Sequence, residues 1–497
     1  MNPIVHHGIL ALLCLQVSHA HQFADCYRIE NIKLPAGAPP EVGGIDFADD
    51  GTLFIVLRRG DVFRAQPTED PGQFDWKLFA SGFHNGCGID AVSSSRVRIT
   101  QMAEMTEAED TDGDGSADRY TRFASGWGLS GNYHETNALT RDGQGGYFIA
   151  VGTASHAGPT FEHTLGTFSD AGRRGRNYSS VKWKGWVLHA DQKGEITPFA
   201  SGFRMHNGIY RDPDGELWCA DNQGDWKAAT PFYHVEKGNF YGHPNSLVWD
   251  PDFTKSDDPL AYYREHLDEY NQDRTYPAVE IPHMEMNRSA GEPMEIPRDG
   301  SFGPFAGQIL LPDNNGQRIS RLMLEKVGGI WQGAVTNFVS GHGLRSGNHR
   351  IRFAPDGNQL YIGQTVRGWG SPAEGLQRIT WLGNTTFDIE SIRITEAGFR
   401  LTFTKDIPEV LTRTKGWTLS SFTYQPSWTY GSDPGDTMEH PIELIHSSAS
   451  PRSILLRTDG LAAHRVFRIG LPSAKSADGS PLQNRLLFYT VNAVLAE

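Results

Sequence analysis

Short runs of apolar residues separated by tight turns recur along most of the chain. Apolar, strand-like runs follow Asp-Gly pairs, as at residues 52–56, 146–150 and 359–363. An Asp-Gly pair between two apolar runs is a strong hairpin signal, because glycine takes the positive φ that a tight turn needs. The pairs occupy positions 50–51, 142–143, 214–215 and 356–357. The pattern therefore predicts repeated antiparallel hairpins without helices between them.

A second repeat accompanies the hairpins. The phrase Phe-(Ala/Val)-Ser-Gly occurs at residues 79–82, 123–126, 199–202 and 338–341. Repetition of strand units at this scale is typical of a propeller built from four-stranded blades. We therefore predict an all-β fold in which residues 27–382 form a six-bladed β-propeller, although seven or eight blades also match the pattern. The uneven spacing predicts inserted loops, the largest at residues 245–300.

The pattern changes after the propeller. Residues 392–394, 399–403 and 467–471 alternate between apolar and polar positions, with polar turns between them. Period-two strands over about 110 residues indicate a small sandwich of two sheets. We predict that residues 384–497 form an immunoglobulin-like β-sandwich. No cluster of reactive residues stands out in it, so an accessory role is expected.

Composition narrows the function classes. The chain has 497 residues and a formal net charge of −14, which argues against a nucleic-acid-binding protein. The 55 glycines and 28 prolines agree with a turn-rich β protein. No stretch after the N-terminus is long and apolar enough to predict a transmembrane segment.

The N-terminus has the features of a signal peptide. Residues 9–17 are apolar, and Ser18 and Ala20 place small residues where cleavage after Ala20 requires them. We predict that residues 1–20 are removed and that the protein is secreted or periplasmic; a buried N-terminal strand is the alternative. In an oxidising compartment we expect Cys26 to pair with Cys87. The chain lacks a CxxCH motif, so it encodes no covalently attached haem.

An acidic loop has the spacing of a cation site. Asp110, Asp112, Asp114 and Asp118 alternate with small residues, and the intervening glycines permit a sharp bend. Carboxylate oxygens at such positions bind Ca²⁺. Because Thr121 occupies the twelfth position, the loop is not a complete EF-hand. We predict a structural Ca²⁺ site, with a solvated acidic turn as the alternative.

Three segments that precede predicted inner strands carry further candidates. His134 is positioned to act as a general base. Arg204 occupies the corresponding place two hairpins later, and Arg350 and Arg352 follow in a third such segment. Converging guanidinium groups hold polyanionic ligands, although two arginines on a solvated strand face are an equally good interpretation. The tryptophans proposed to stack on a sugar or flat cofactor are Trp186, Trp218, Trp226 and Trp369.

The order of these phrases resembles the glucose/sorbosone dehydrogenases that use pyrroloquinoline quinone. It runs from His134 through the phrases at residues 202–209, 214–218 and 237–244. The resemblance covers roughly residues 30–382 and is closest to a secreted branch with extra domains. It implies a six-bladed propeller, Ca²⁺, and a sugar or aldehyde substrate.

The resemblance also implies roles for individual residues. His134 falls on the catalytic base, which takes a proton from the substrate hydroxyl, and Asp225 lies near the active-site Ca²⁺. Two positions depart from the family: Met205 replaces an asparagine, and Asn315 replaces a quinone-binding lysine. The residues placed against the cofactor are Arg204, Asn207, Arg350 and Arg352.

Three functions follow from the sequence. The first is a secreted oxidoreductase that oxidises a sugar or aldehyde with pyrroloquinoline quinone and Ca²⁺ and passes electrons to a separate acceptor such as a cytochrome. The second is a non-catalytic, carbohydrate-binding propeller. The third is a metal-dependent lactonase on a similar scaffold.

Overall fold

The computed structural model describes residues 23–102, 104–129, 137–155, 165–365 and 374–495. The predicted signal peptide, His134 and Trp369 lie outside these ranges. Strands dominate the described residues, and the predicted all-β class is confirmed. Among the described helices, none has the length and apolar character that a membrane span requires.

Six antiparallel blades form the predicted propeller. The innermost strands of blades 1 to 4 contact one another in sequence, and those of blades 1 and 6 also touch, so the ring closes. The strands, from the axis outward, are Val42–Phe47, Leu53–Leu57, Val62–Ala65 and Lys77–Ala80 in blade 1; Gly88–Ser93, Arg96–Gln101, Glu104–Glu109 and Arg119–Ser125 in blade 2; Asn137–Arg141, Tyr147–Val151, Trp186–Ala190 and Ile196–Ser201 in blade 3; Gly208–Arg211, Leu217–Ala220, Thr230–His234 and Val279–Ile281 in blade 4; Met294–Glu295, Ile309–Pro312, Arg318–Val327 and Ile330–Ser340 in blade 5; and Asn348–Phe353, Gln359–Gln364, Gly375–Trp381 and Tyr27–Ile32 in blade 6.

The strand Tyr27–Ile32 closes the ring from the N-terminal side. It pairs antiparallel with Gly375–Trp381 and forms the outermost strand of blade 6. The first strand of the propeller is therefore paired with its last. Blade 6 contains residues from both ends of the propeller sequence.

Both sequence repeats have a structural meaning. Each Asp-Gly pair connects the first and second strands of a blade, in blades 1, 3, 4 and 6, and the four glycines have φ between +74° and +92°. Each Phe-(Ala/Val)-Ser-Gly phrase lies at the end of an outermost strand, in blades 1, 2, 3 and 5. Apolar side chains then pack between neighbouring blades, as Val187, Ile209 and Tyr233 do between blades 3 and 4.

The predicted insertion is part of blade 4. Between its third and fourth strands lie a 3₁₀ helix, Pro244–Trp249, and two short α-helices, Pro259–Glu265 and Leu267–Asp273. Their apolar faces pack around the buried Tyr263 and Tyr270. Further short elements are the paired strands Ala154–Ser155 and Asn177–Tyr178 and the 3₁₀ helices Ala171–Arg173 and Glu409–Thr412.

The C-terminal region is a sandwich of two sheets, as predicted. Its apolar core includes Ile392, Phe399 and Phe467, which the alternating pattern places inside. One sheet contains Ile389–Thr395, Gly398–Phe403, Ser453–Arg457 and Glu443–His446. The other contains Leu486–Val491, Arg465–Gly470, Thr418–Thr423 and Gly435–Glu439.

The sandwich is joined to the propeller through a shared sheet. The strand Leu486–Val491 pairs with Ile330–Ser340, the outermost strand of blade 5. Blade 5 and one sheet of the sandwich therefore form a continuous eight-stranded sheet. The sequence pattern gave no indication of this pairing.

Candidate functional site

The loop that enters blade 4 on the top face, where innermost strands begin, carries Arg204. Its backbone is fixed by Asp221, a fully buried residue that accepts hydrogen bonds from the N–H groups of Arg204 and Met205, both at 2.7 Å. Nζ of Lys227 lies 3.4 Å from the Asp221 carboxylate. Burial alone would raise the pKa of Asp221, but Lys227 and these hydrogen bonds lower it below its ordinary value. A charged network therefore sets the loop conformation.

The Arg204 side chain joins a buried network with Asp225 and His243. Nε of Arg204 donates to Asp225 at 2.8 Å, and Nε2 of His243 lies 3.2 Å from the other carboxylate oxygen. Burial would raise the pKa of Asp225, but Arg204 and His243 hold it well below its ordinary value. Nδ1 of His243 has no hydrogen-bond partner among the described residues. Asp225 is therefore ionised and shared between two donors.

Two features confine the Arg204 guanidinium. A Cβ atom added at Gly224 would lie 2.1 Å from Nε of Arg204, so only glycine fits there. On another side, the ring of Tyr430 from the C-terminal sandwich lies 5.4 Å from the guanidinium carbon, within cation–π distance. Tyr430 is itself 53% exposed. Its ring therefore separates the buried ion pair from solvent.

Arg350 crosses the axial channel of the propeller. Its guanidinium donates to the backbone carbonyls of Cys87 in blade 2 and Asn207 at the start of blade 4. Oε2 of Glu292 lies 3.6 Å from its Nε. Burial lowers the pKa of Arg350, and Glu292 opposes that effect. The side chain links three blades and is itself buried.

Arg352 faces the opposite end of the channel. It lies 3.3 Å from Asp46 and 3.4 Å from Glu292, and its Nε donates to the carbonyl of Ile45 at 3.2 Å. Together with Asp90, these groups border a cavity of about 410 Å³ at the lower mouth. Burial raises the pKa of Asp46 to about 6, although Arg352 opposes the shift.

The predicted site residues thus separate into two groups. Arg350 contacts the backbone of Asn207, whose side-chain amide donates to the carbonyl of Ala290 at 3.0 Å. Arg204 lies on the same loop as Asn207, but its guanidinium pairs with Asp225. His134 lies outside the described residues, so its predicted role as a base stays a prediction.

Sequence reasoning missed the carboxylates that pair with these arginines. Asp221 directly follows the apolar strand Leu217–Ala220, and a polar residue at a strand end is a usable signal. Glu292 and His243 carry no local signal, because their partners lie 58 or more and 18 or more residues away. Only the tertiary fold reveals those pairs.

The acidic loop brings three of its four predicted ligands together. Oxygen atoms of Asp110, Asp112 and Asp114 all lie within 4.8 Å of one another. Asp118 is outside this group and accepts hydrogen bonds from Thr111. The Asp110 carboxylate accepts backbone N–H groups of the loop at 2.7 and 2.9 Å, so the loop is ordered around it.

The predicted Cys26–Cys87 disulfide is wrong. Cys26 is buried in the apolar core of blade 6, and Cys87 lies at the channel, so both are free thiols. Cys219 is also free and buried. Three of the tryptophans proposed for stacking, Trp186, Trp218 and Trp226, are at most 5% exposed and pack inside the protein.

The described side chains do not fit a tricarboxylate quinone. Arg204 is compensated by Asp225, Arg350 by Glu292, and Arg352 by Asp46 and Glu292. A polyanionic cofactor needs uncompensated cations or free donors, and these three guanidinium groups offer neither. Asn315, at the position of the quinone-binding lysine, brings no charge.

The propeller has the fold of the glucose/sorbosone dehydrogenase-like proteins. The chain belongs to the family described as Domain of unknown function (DUF7133), whose profile matches residues 46–367. No curated protein matches the sequence.

Solved structures agree on the fold. The holo form of the pyranose dehydrogenase PQQ domain from Coprinopsis cinerea is 12% identical, covers 71% of this chain and 95% of its own, and has a TM-score of 0.50. A glucose dehydrogenase is 15% identical, covers 72% and 99%, and also has a TM-score of 0.50. At these identities the likeness establishes the fold alone.

Proposed function

We propose that the top face of the propeller binds a neutral sugar beside Arg204. The observation that supports this most is the buried Arg204–Asp225 pair beneath the half-exposed ring of Tyr430. A paired guanidinium and carboxylate supply donors and acceptors for hydroxyl groups without attracting a net anion. An aromatic ring next to them offers an apolar surface on which a sugar ring packs. Carbohydrate binding is therefore the function that the described geometry favours.

A second candidate is oxidation of the bound sugar, or of an aldehyde derived from it. The protein would then be a secreted or periplasmic dehydrogenase that uses pyrroloquinoline quinone and Ca²⁺, with a separate electron acceptor such as a cytochrome. The similarity of the fold to the PQQ domain of pyranose dehydrogenase favours this candidate. His134 would be its base. The internal pairing of the arginines counts against it.

Titration of the purified chain separates the two functions. Glucose, xylose and cellobiose are titrated by calorimetry without any quinone, and the same protein is then mixed with pyrroloquinoline quinone and Ca²⁺ in a dye-reduction assay. We expect binding of at least one sugar, and no quinone-dependent dye reduction. Asp225→Asn should weaken sugar binding about tenfold, because it removes an ionised acceptor worth about 1.5 kcal/mol.

Each outcome has a definite meaning. Sugar-dependent dye reduction that requires the quinone and is lost in His134→Ala would replace this proposal with the dehydrogenase. Failure of every tested sugar to bind would refute carbohydrate binding. Hydrolysis of a lactone without quinone would instead identify a metal-dependent lactonase.

A further inference from the structure

A segment of the C-terminal sandwich is bonded to the loop that holds Asp225. Residues 427–432, which we name the strap, lie along residues 222–228 of blade 4. The N–H of Trp226 donates to the carbonyl of Ser427 at 2.6 Å, and that of Gly431 donates to Gly224 at 2.9 Å. Tyr430 forms an antiparallel bridge with Asp225 itself. The strap therefore contacts the loop at the residue that pairs with Arg204.

The conformation of this loop needs external support. Trp226 has a φ of +61°, which is unfavourable for a residue with a side chain and persists only when neighbouring structure imposes it. Its indole packs at a tilt against Tyr270, 4.8 Å away, and edge-to-face against Trp428 of the strap at 6.4 Å. The strap is one of the elements that impose this conformation.

Tyr430 connects the strap to the guanidinium groups of the top face. The guanidinium carbons of Arg204 and Arg176 lie 5.4 and 4.7 Å from its ring centroid. Arg204 is buried, whereas Arg176 is exposed. Trp428, two residues earlier, is 43% exposed. The strap thus presents two aromatic rings to solvent directly above the buried ion pair.

The strap is held in a fixed position by the attachment of the sandwich. The side chain of Asn492 donates to the carbonyl of Pro277 at 2.8 Å, and Thr490 accepts the N–H of Glu280 at 2.8 Å. These bonds fasten the sandwich to blade 4, next to the shared eight-stranded sheet with blade 5. A segment anchored at both blades is suited to position groups in the propeller.

We propose that the C-terminal sandwich completes the site on the propeller. The strap positions Asp225 and thereby Arg204, and Tyr430 forms the exposed wall against which a sugar ring packs. The positioning role stands on the hydrogen bonds alone, whereas the packing role rests on the proposed carbohydrate binding. Tyr430 is therefore a specificity-determining residue contributed by a different domain from Arg204.

The positioning role is tested with two matched glycine variants. Gly431 has a φ of +66°, and a Cβ atom there would lie 2.7 Å from Cδ of Gln223. Gly479 has a φ of +84° in the same domain, but nothing lies within 4 Å of its Cβ position. Both alanine variants bear the same backbone cost, and only Gly431→Ala pushes on the loop. We expect Gly431→Ala to speed hydrogen exchange in residues 221–228 about tenfold, with no such change in Gly479→Ala.

Equal exchange in the two variants would overturn the positioning role. This readout needs no ligand, so it is independent of whether the protein binds sugar. Both variants are compared at matched distance below their melting temperatures, so that a global loss of stability is not counted as a local one.

The packing role is tested by replacing Tyr430 and measuring sugar affinity by calorimetry with glucose, xylose and cellobiose. Tyr430→Phe keeps the ring and should retain affinity, whereas Tyr430→Ala should weaken binding at least about tenfold. Unchanged affinity in Tyr430→Ala would overturn the packing role. If wild-type protein binds none of the sugars, the packing role falls with carbohydrate binding, while the exchange result still decides the positioning role.

Discussion

Arg350 lies in a channel with little access to water, and its guanidinium needs hydrogen-bond acceptors close by. Backbone carbonyls of Cys87 and Asn207 and the carboxylate of Glu292 supply them. Removing one partner of such a buried pair costs several kcal/mol, because the other charge is left uncompensated. Arg350 is therefore explained as a link between blades, without any ligand.

Glu280 permits a pH test at the same scale. It lies on the outermost strand of blade 4, facing the sandwich, and its Oε2 is buried without a hydrogen-bond partner among the described residues. Burial raises its pKa to about 7, although Arg274 and Lys227 oppose the shift. The folded state therefore binds the proton more tightly than the unfolded state, and stability from this group is lost as pH rises from about 4.5 through 7.

Glu280→Gln should remove this pH dependence. The amide is neutral at every pH, so the free energy of unfolding of the variant, relative to wild type, should increase by about 2 kcal/mol between pH 4 and pH 8. Urea unfolding at the two pH values measures the difference. Glu439→Gln, at an exposed position of the sandwich, is the control. The same relative stability of Glu280→Gln at both pH values would contradict the assignment.

At the scale of elements, local sequence signals were good guides. Asp-Gly pairs predicted hairpins because a two-residue turn depends only on its own residues and their neighbours. The Phe-(Ala/Val)-Ser-Gly phrase marks outermost strands for a similar local reason. The disulfide prediction failed because pairing two cysteines depends on the distance between strands of different blades, which spacing along the chain does not encode.

The acidic loop is the element whose predicted chemistry is simplest to test. The clustered carboxylates of Asp110, Asp112 and Asp114 repel one another, and Ca²⁺ would relieve that repulsion in the folded state only. Calcium at a hundredfold excess over its Kd should add about 2.7 kcal/mol to the free energy of unfolding. Differential scanning calorimetry with Ca²⁺ or EDTA measures the resulting rise in Tm.

Two substitutions determine whether the effect belongs to this loop. Asp112→Asn should abolish the response to Ca²⁺, whereas Asp257→Asn, at another exposed acidic position, should leave it intact. Asp118→Asn is expected to have the smaller effect, since Asp118 lies outside the carboxylate cluster. A melting temperature that ignores Ca²⁺ in wild type would identify the loop as a solvated acidic turn.

At the scale of the whole molecule, two predicted domains share one structure. A single apolar cluster contains Trp218 of blade 4, Val335 of blade 5, and Phe422 and Phe488 of the sandwich. Together with the continuous sheet, this cluster makes either part incomplete without the other. The sequence predicted both domains correctly from their own periodicities, but their junction pairs strands about 150 residues apart and has no periodic signature.

This junction predicts a single unfolding transition. Calorimetry of the full chain should give one cooperative peak for propeller and sandwich together, because the shared cluster is exposed if either part unfolds. A chain that ends at residue 383 should expose this cluster and an unpaired strand edge, and should aggregate on size-exclusion chromatography. Two separate peaks in the full chain, or a monomeric truncated chain, would show that the domains are independent.

The candidate site illustrates the same limit of sequence reasoning. Arg204, Arg350 and Arg352 could be found because each precedes or begins an innermost strand. Their carboxylate partners could not, because Asp46, Asp225 and Glu292 reach them through the fold. Whether an arginine is available to a ligand depends on those partners, so the residue type alone overstated the case for an anionic cofactor.

The strand Tyr27–Ile32 also constrains how the molecule is made. It leaves the ribosome first, yet its partner Gly375–Trp381 follows more than 340 residues later. Until then its edge stays unpaired and the ring stays open, so the closing contacts have very high sequence separation and form slowly. The edge of blade 5 waits longer still, for Leu486–Val491 at the end of the chain. Partly synthesised chains therefore expose two sticky edges, and a chaperone that masks strand edges would benefit this protein during synthesis.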